Sequence, residues 1–482
     1  MEDLKLEDAK ELAELAVKHA SVAGASYAEA RVHGSRERAF ALKNGEPQPA
    51  MFGESYGVGI RALCRGALAF SATNSLDRAG VNNLTERTVK LARASASLLE
   101  KPIVFDHSKA VRRKWTAEEK ESLDGANAEW LRSILNDIES RIRDGKAGVE
   151  IQGRILTLAA EVEEKFYVNS DGARVQSRVP RMSFFGVLTA SEGDRMAQRF
   201  IQEGQSGGME LVERIGLAGE VEQEAKVLGK VLRTTAKPPS DEVDVILSSE
   251  LTGIAAHESV GHPQEADRIL GREGAQAGES YLKAESLGTQ IGSSEANVSD
   301  DPTLLHSNGY YLVDDEGVEG RKRKLITDGT VTEFLQNRYT AGEFGVTSNG
   351  SSRSSAFDRE PIVRMSNTFV EPGDRSFDEL LREVKHGVYF KSFMEWNIDD
   401  KRFNQRYVAL EAYSVEQGEL TGLVNAPVLE ITTPRLWGSV KARSKTLEFK
   451  SGVCGKGDPQ QGVPVWHGGP EMLLTGIRLG SR

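Results

Sequence analysis

Two histidines stand five residues apart in the run His257-Glu258-Ser259-Val260-Gly261-His262, and one of the chain's two cysteines, Cys454, lies far downstream in a glycine-rich stretch. Two imidazoles and a thiolate are a ligand set for a zinc-like ion. Three protein ligands leave a fourth position for solvent, the pattern of a reactive site rather than a structural one. A fold that uses all three must carry the segment near 260 against the segment near 454. Glu258, beside the first ligand, is placed to take a proton from water.

Helix geometry sharpens this constraint. Residues of a straight α-helix turn by ~100° each, so positions five apart sit ~140° apart and cannot face one ion. A π-type widening brings them nearly into line. Gly261 lowers resistance to that distortion, and Pro263 makes continuation of a regular helix awkward. The sequence therefore predicts a helix from about Leu251 that is overwound or loosened at its end.

The run Gly452-Val453-Cys454-Gly455-Lys456-Gly457 suits close backbone approach to a ligand. It lacks phosphate-loop spacing and has no Ser or Thr after the lysine. Cys64 sits in an apolar strand and reads as core. Of the remaining histidines, His467 follows Cys454 most closely and is the spare ligand. Asp300-Asp301 and Asp314-Asp315-Glu316 do not fit a calcium loop and read as turn or solvent-facing carboxylates. No nucleophile elbow is paired with a plausible histidine.

At 482 residues, two or three domains are expected. We divide the chain at 1–105, 106–236 and 237–482. The fold class is α+β: an N-terminal α/β region with antiparallel or mixed sheets flanked by helices, then a β-rich, barrel-like C-terminal domain carrying the metal site. Ala9, Leu12, Ala13, Ala16, Val17 and Ala20 repeat at helical spacing, and Asn44-Gly45 marks a hairpin. Leu84 to Leu99 reads as a helix. Thr116 and Glu119 read as a capping box. Trp130, Leu131, Ile134, Leu135, Ile138 and Ile142 form one apolar stripe. Strand patterns run from Val149 to Ile201, a helix covers Leu211 to Leu232, and Lys237-Pro238-Pro239 is a linker. Beyond it come short strand-like runs, Tyr310–Val313 among them, and two polar loops, 271–280 and 345–355, of the kind that serve as lids or binding loops.

The net charge of -11 argues against a nucleic-acid binder. The basic clusters Arg112-Arg113-Lys114 and Arg321-Lys322-Arg323-Lys324 read as solvated loop charge. Two distant cysteines suit a reducing compartment. The first residues show no signal-peptide pattern and no stretch approaches a ~20-residue membrane span. A soluble cytoplasmic protein is expected.

Beyond the histidine pair, Pro263-Gln264-Glu265-Ala266-Asp267, Ser299-Asp300-Asp301-Pro302, Asp314-Asp315-Glu316-Gly317, Asn349-Gly350, Arg364-Met365-Ser366-Asn367-Thr368, Cys454-Gly455-Lys456 and the run from Ser55 to Phe70 extend the pattern over nearly the whole chain. With these the chain resembles the TldD branch of the TldD/PmbA metallopeptidases. The resemblance implies a zinc-dependent peptidase with one zinc ion per active chain. It puts His257, His262 and Cys454 on the family's ligands and Glu258 on its catalytic glutamate. It implies a dimer, with itself or with a homologous subunit lacking the histidine motif, and unfolded or flexible peptides as substrates. It does not imply nucleic-acid or membrane contact. The stretch Asp458-Pro459-Gln460-Gln461 departs from the family's pattern beside the cysteine. Two other readings of the same ligands stay open: an assembly protein with a structural metal, and an amidase acting on a non-peptide substrate.

Overall fold

A computed structural model describes residues 3–145, 148–274 and 278–481, with side chains from Ala9 onward. The expected loop 271–280 lies partly outside the described residues.

Long antiparallel strands dominate the N-terminal half. Tyr27–Lys43, Met51–Cys64, Ala67–Thr73, Ile151–Asn169, Arg174–Glu192 and Arg195–Ser206 join one sheet, and Arg112–Thr116 adds to it in parallel. This sheet draws strands from both sides of residue 105. Helices Asp3–Val22 and Arg78–Ser95 cover its first strands. Their small buried residues, Ala13, Ala16, Ala20 and Ala92, let the helices approach Val32, Val58 and Ile60 closely. Helices Ala128–Asp144 and Leu217–Arg233 cover the later strands, with Leu131, Leu135, Ile138 and Ile142 packed among Leu156, Leu158 and Leu228.

Thr116 does not open a helix. It ends a strand, and Glu119 accepts from the Leu123 N–H while Asn127 caps the helix that follows. The helix expected over 211–232 breaks at Gly216, whose φ of 64° is left-handed. Tyr310–Val313 is not a strand of any sheet. Arg323, read as solvated, is fully buried against Asp300.

The C-terminal half holds two larger sheets. One runs through Val440–Arg443, Met472–Arg478, Glu242–Leu247, His386–Ile398, Asn404–Glu416 and Pro427–Thr432. The other runs through Arg323–Thr327, Val298–Asp300, Asn367–Val370, Gln461–Gly469 and Glu448–Lys456. Their inner residues share one core with helix Ser249–Ala256, whose side chains are buried nearly all round. A helix apolar on every side belongs between layers, and this one carries the histidine motif at its C-terminal end. No described helix is long and apolar enough to cross a membrane.

Candidate metal centre

The site helix starts at Ser248, whose hydroxyl accepts the Leu251 N–H. It runs into a π turn over His257–Gly261, in which the His262 N–H donates to the His257 carbonyl. A tighter turn, His262–Gln264, follows and contains Pro263. The widened turn is the loosening expected from the five-residue spacing. It brings the imidazole centroids to 4.9 Å with ring planes at 83°. Gly261 has a second reason to be glycine: a Cβ there would meet the Met365 sulfur at 1.9 Å.

Cys454 arrives on strand Glu448–Lys456, with Sγ 3.5 Å from His262 Nε2. The candidate ligand atoms of His257, His262 and Cys454 lie within 4.8 Å of one another, and all three residues are buried. That span is close to twice a metal–ligand bond of ~2.0–2.3 Å. His262 Nδ1 lies 2.9 Å from Glu265 Oε2. Glu265 is itself gripped by Arg268 Nε at 2.6 Å and Lys456 Nζ at 3.4 Å. Burial alone would raise the Glu265 carboxyl, but Lys456, Arg268 and His262 hold it well below the usual range. A fixed carboxylate keeps a proton on Nδ1 and turns the Nε2 lone pair toward the cysteine.

Burial pushes both imidazoles below their ordinary value, with the charge of Arg402 assisting. Burial would raise the Cys454 thiol, yet His262 and Arg364 outweigh it and bring it down to about 7. His257 Nδ1 is buried with no hydrogen-bond partner among the described residues, an orphan of the kind a bound ligand would account for. Two neutral imidazoles and a readily ionised thiol form a borderline-soft donor set that fits one divalent ion.

Glu258 faces the same space, and Arg402 Nη1 donates to its Oε2 at 2.5 Å. His257, Glu258, His262, Arg402 and Cys454 line a cavity of about 570 Å³, one wall of which, including Phe200 and Gln202, comes from the N-terminal sheet. The cysteine strand lies at the rim of its sheet, paired on one side only, with Gln461–Gly469. In that partner, Pro464 has no N–H and the Trp466 N–H turns away to Ser366. The bonded pairs are therefore the alternate ones, Gly452 with Val465 and Cys454 with Val463. The backbone groups of Ser451, Val453 and Gly455 then point to the open edge, and all three residues line the cavity.

His467 stands near but outside the ligand cluster, its ring 6.2 Å from that of His257. Burial and the neighbours His257 and Lys450 hold it down at about 3. Cys64 is core in the N-terminal half. The acidic runs are not solvent-facing: Asp300, Asp314, Asp315 and Glu316 are buried and partnered. Residues 348–354 of the supposed loop are also interior, with Asp314 and Asp315 accepting from the Ser352 and Ser354 N–H groups. Sequence reasoning missed Arg402 and the positioning role of Glu265. Glu265 had a signal, a carboxylate three residues after a candidate ligand histidine; Arg402 had none beyond its charged turn.

The PmbA/TldA metallopeptidase C-terminal domain model matches residues 240–481, half of the chain. The chain belongs to the PmbA/TldD metallopeptidase family. That family's domain 1 and central domain models match residues 28–92 and 115–228. Over 445 residues the chain is 31% identical to a metalloprotease of Methanocaldococcus jannaschii, covering 92% of this chain and 94% of that one. A TldD homolog of Haemophilus influenzae is 26% identical over 462 residues, 94% and 93% of the two chains. A zinc metalloprotease TldD homolog of Saccharolobus solfataricus is 32% identical over 248 residues, 51% and 53% of the two chains. The crystal structure of TldE from Thermococcus kodakarensis shares the fold, with a TM-score of 0.73 at 18% identity, covering 98% of this chain and all of that one.

Proposed function

We propose that the chain is a zinc-dependent peptidase cleaving unfolded or flexible peptides, with one zinc ion per active chain held by His257, His262 and Cys454. The observation that carries this reading is the convergence of two imidazoles and a thiol beside Glu258 in one cavity. Zinc in particular is supported by the donor set and by the name of the Saccharolobus relative. Once bound, zinc supplies a Lewis acid that acidifies water and polarises a carbonyl. Glu258 accepts the proton of the attacking water and passes it to the leaving amine. Glu265 holds the His262 ring in its ligating tautomer.

The open edge at Ser451, Val453 and Gly455 offers an extended peptide main-chain hydrogen bonds, which favours unfolded chains and reads little of their sequence. The same proposal has the enzyme act in the cytoplasm as a dimer, with a second copy or a homologous subunit, and without nucleic acid or membrane. The test is metal content and cleavage of a disordered peptide by wild type and His262→Ala, each with and without a co-expressed homologous subunit. Wild type should hold one zinc and cleave; His262→Ala should lose both properties. A zinc-loaded wild type that leaves the peptide intact in every combination would end the peptidase reading.

A further inference from the structure

Arg402 is a buried cation with an incomplete set of partners. It is 9% exposed, lines the metal cavity and donates to Glu258, yet its Nε has no hydrogen-bond partner among the described residues. Its backbone is left-handed, with φ 62°, a conformation costly for a residue with a Cβ and found where surrounding structure enforces it. The enforcement is visible in the turn 399–403. The Asp399 carboxylate accepts from the N–H groups of Phe403 at 2.7 Å and Asn404 at 3.1 Å, and Thr433 Oγ1 donates to the Arg402 carbonyl at 2.8 Å. Tyr281 N–H closes on the Lys401 carbonyl at 2.9 Å. The turn is braced so that one arginine enters the cavity.

Arg31, Arg323, Arg364 and Arg443 also carry a buried Nε without a partner among the described residues, but of these five arginines Arg402 alone lines the metal cavity and holds Glu258. Building on the peptidase reading above, we propose that Arg402 is a catalytic residue that donates a hydrogen bond to the oxyanion formed from the scissile carbonyl. As the water oxygen bonds to the carbonyl carbon, the carbon–oxygen π pair moves onto the carbonyl oxygen and the water proton goes to Glu258. Arg402 meets the new negative charge with a donor already in place and keeps its own protons throughout. When the carbon–nitrogen bond breaks, the pair on oxygen re-forms the carbonyl and Glu258 delivers its proton to the amine. Donors fixed where charge develops act most strongly in enclosed sites, and a planar guanidinium can hold Glu258 with one nitrogen and the oxyanion with another.

The test compares wild type, Arg402→Met and Arg402→Lys in the zinc-loaded full-length protein. Readouts are kcat and KM on a disordered peptide, zinc content, and affinity for a phosphinic peptide, whose tetrahedral oxygen copies the oxyanion. Arg402→Met should keep zinc and leave KM within a few-fold, while kcat falls about 100- to 1000-fold. Phosphinic peptide affinity should fall by a similar factor, and Arg402→Lys should recover part of both. Unchanged phosphinic peptide affinity in both variants, or a loss confined to KM, would overturn the proposal. Failure of the peptidase reading looks different: wild type holds zinc and cleaves nothing, and the phosphinic peptide binding of the three proteins still decides whether Arg402 meets a tetrahedral anion.

Discussion

Two buried polar clusters of this molecule invite comparison. At the seam between the N-terminal sheet and the C-terminal half, Arg61 bonds Glu29 at 2.7 Å and Glu316 at 2.5 Å. The second oxygen of Glu29 accepts from Tyr27 and Tyr167, and the second oxygen of Glu316 accepts from the Arg338 N–H. At the candidate metal centre the burial is comparable, but His257 Nδ1, Glu265 Oε1 and Arg402 Nε have no partners among the described residues. Unpaired buried polar groups cost free energy. A cluster that closes on itself joins two parts of a fold; one left open beside a cavity has room for a further partner.

The largest expected effect breaks the open cluster chemically without closing it. Glu258→Gln should keep zinc yet lose about 100- to 10,000-fold in peptide cleavage; a variant cleaving at the wild-type rate removes the glutamate from the mechanism. Next, Arg61→Met should strike the closed cluster, leaving two buried carboxylates without their cation. Unfolding free energy should drop by roughly 3–5 kcal/mol in denaturant melts, with zinc affinity of the folded protein unchanged. Loss of zinc affinity instead would mean that the clusters are not separate. Third, Glu265→Gln should lower zinc affinity about 10- to 100-fold in competition with a chelator, while changing metal-free stability less than Arg61→Met does.

The smallest effect is in the pH dependence. Burial would raise Glu29, but Arg61 and the two tyrosine hydroxyls hold it below its ordinary 4.5. Between the folded and unfolded values the unfolded chain binds more protons, so stability rises with pH across that window and is lost on acidification through it. Glu29→Gln should flatten the stability profile below pH 4.5; an unaltered acid slope would show that the pair does not titrate as the geometry implies.

What the sequence made legible was what it encodes locally. The π turn followed from a five-residue spacing, a glycine and a proline, and the helix stripe at Leu131 to Ile142 from its period. The acidic runs do sit at turns, but their burial was not legible, because nothing near Asp314 or Glu316 announces Arg338 or the Ser352 backbone as partners. The break at Gly216 had a local signal in the glycine itself, whereas the strand at Thr116 was set by its pairing in the sheet, which overrides local propensity. Arg402 was invisible because its role depends on a turn placed by two strands and by Thr433. Cys454 was found through its glycine-rich setting, but only the sheet order brings it to His262.

The most direct test of the metal centre is zinc K-edge X-ray absorption of the loaded protein. One sulfur at about 2.3 Å, two imidazole nitrogens at about 2.0–2.1 Å and one oxygen are expected. A shell without sulfur, or one completed by a third imidazole in place of the oxygen, would contradict an open site built from His257, His262 and Cys454.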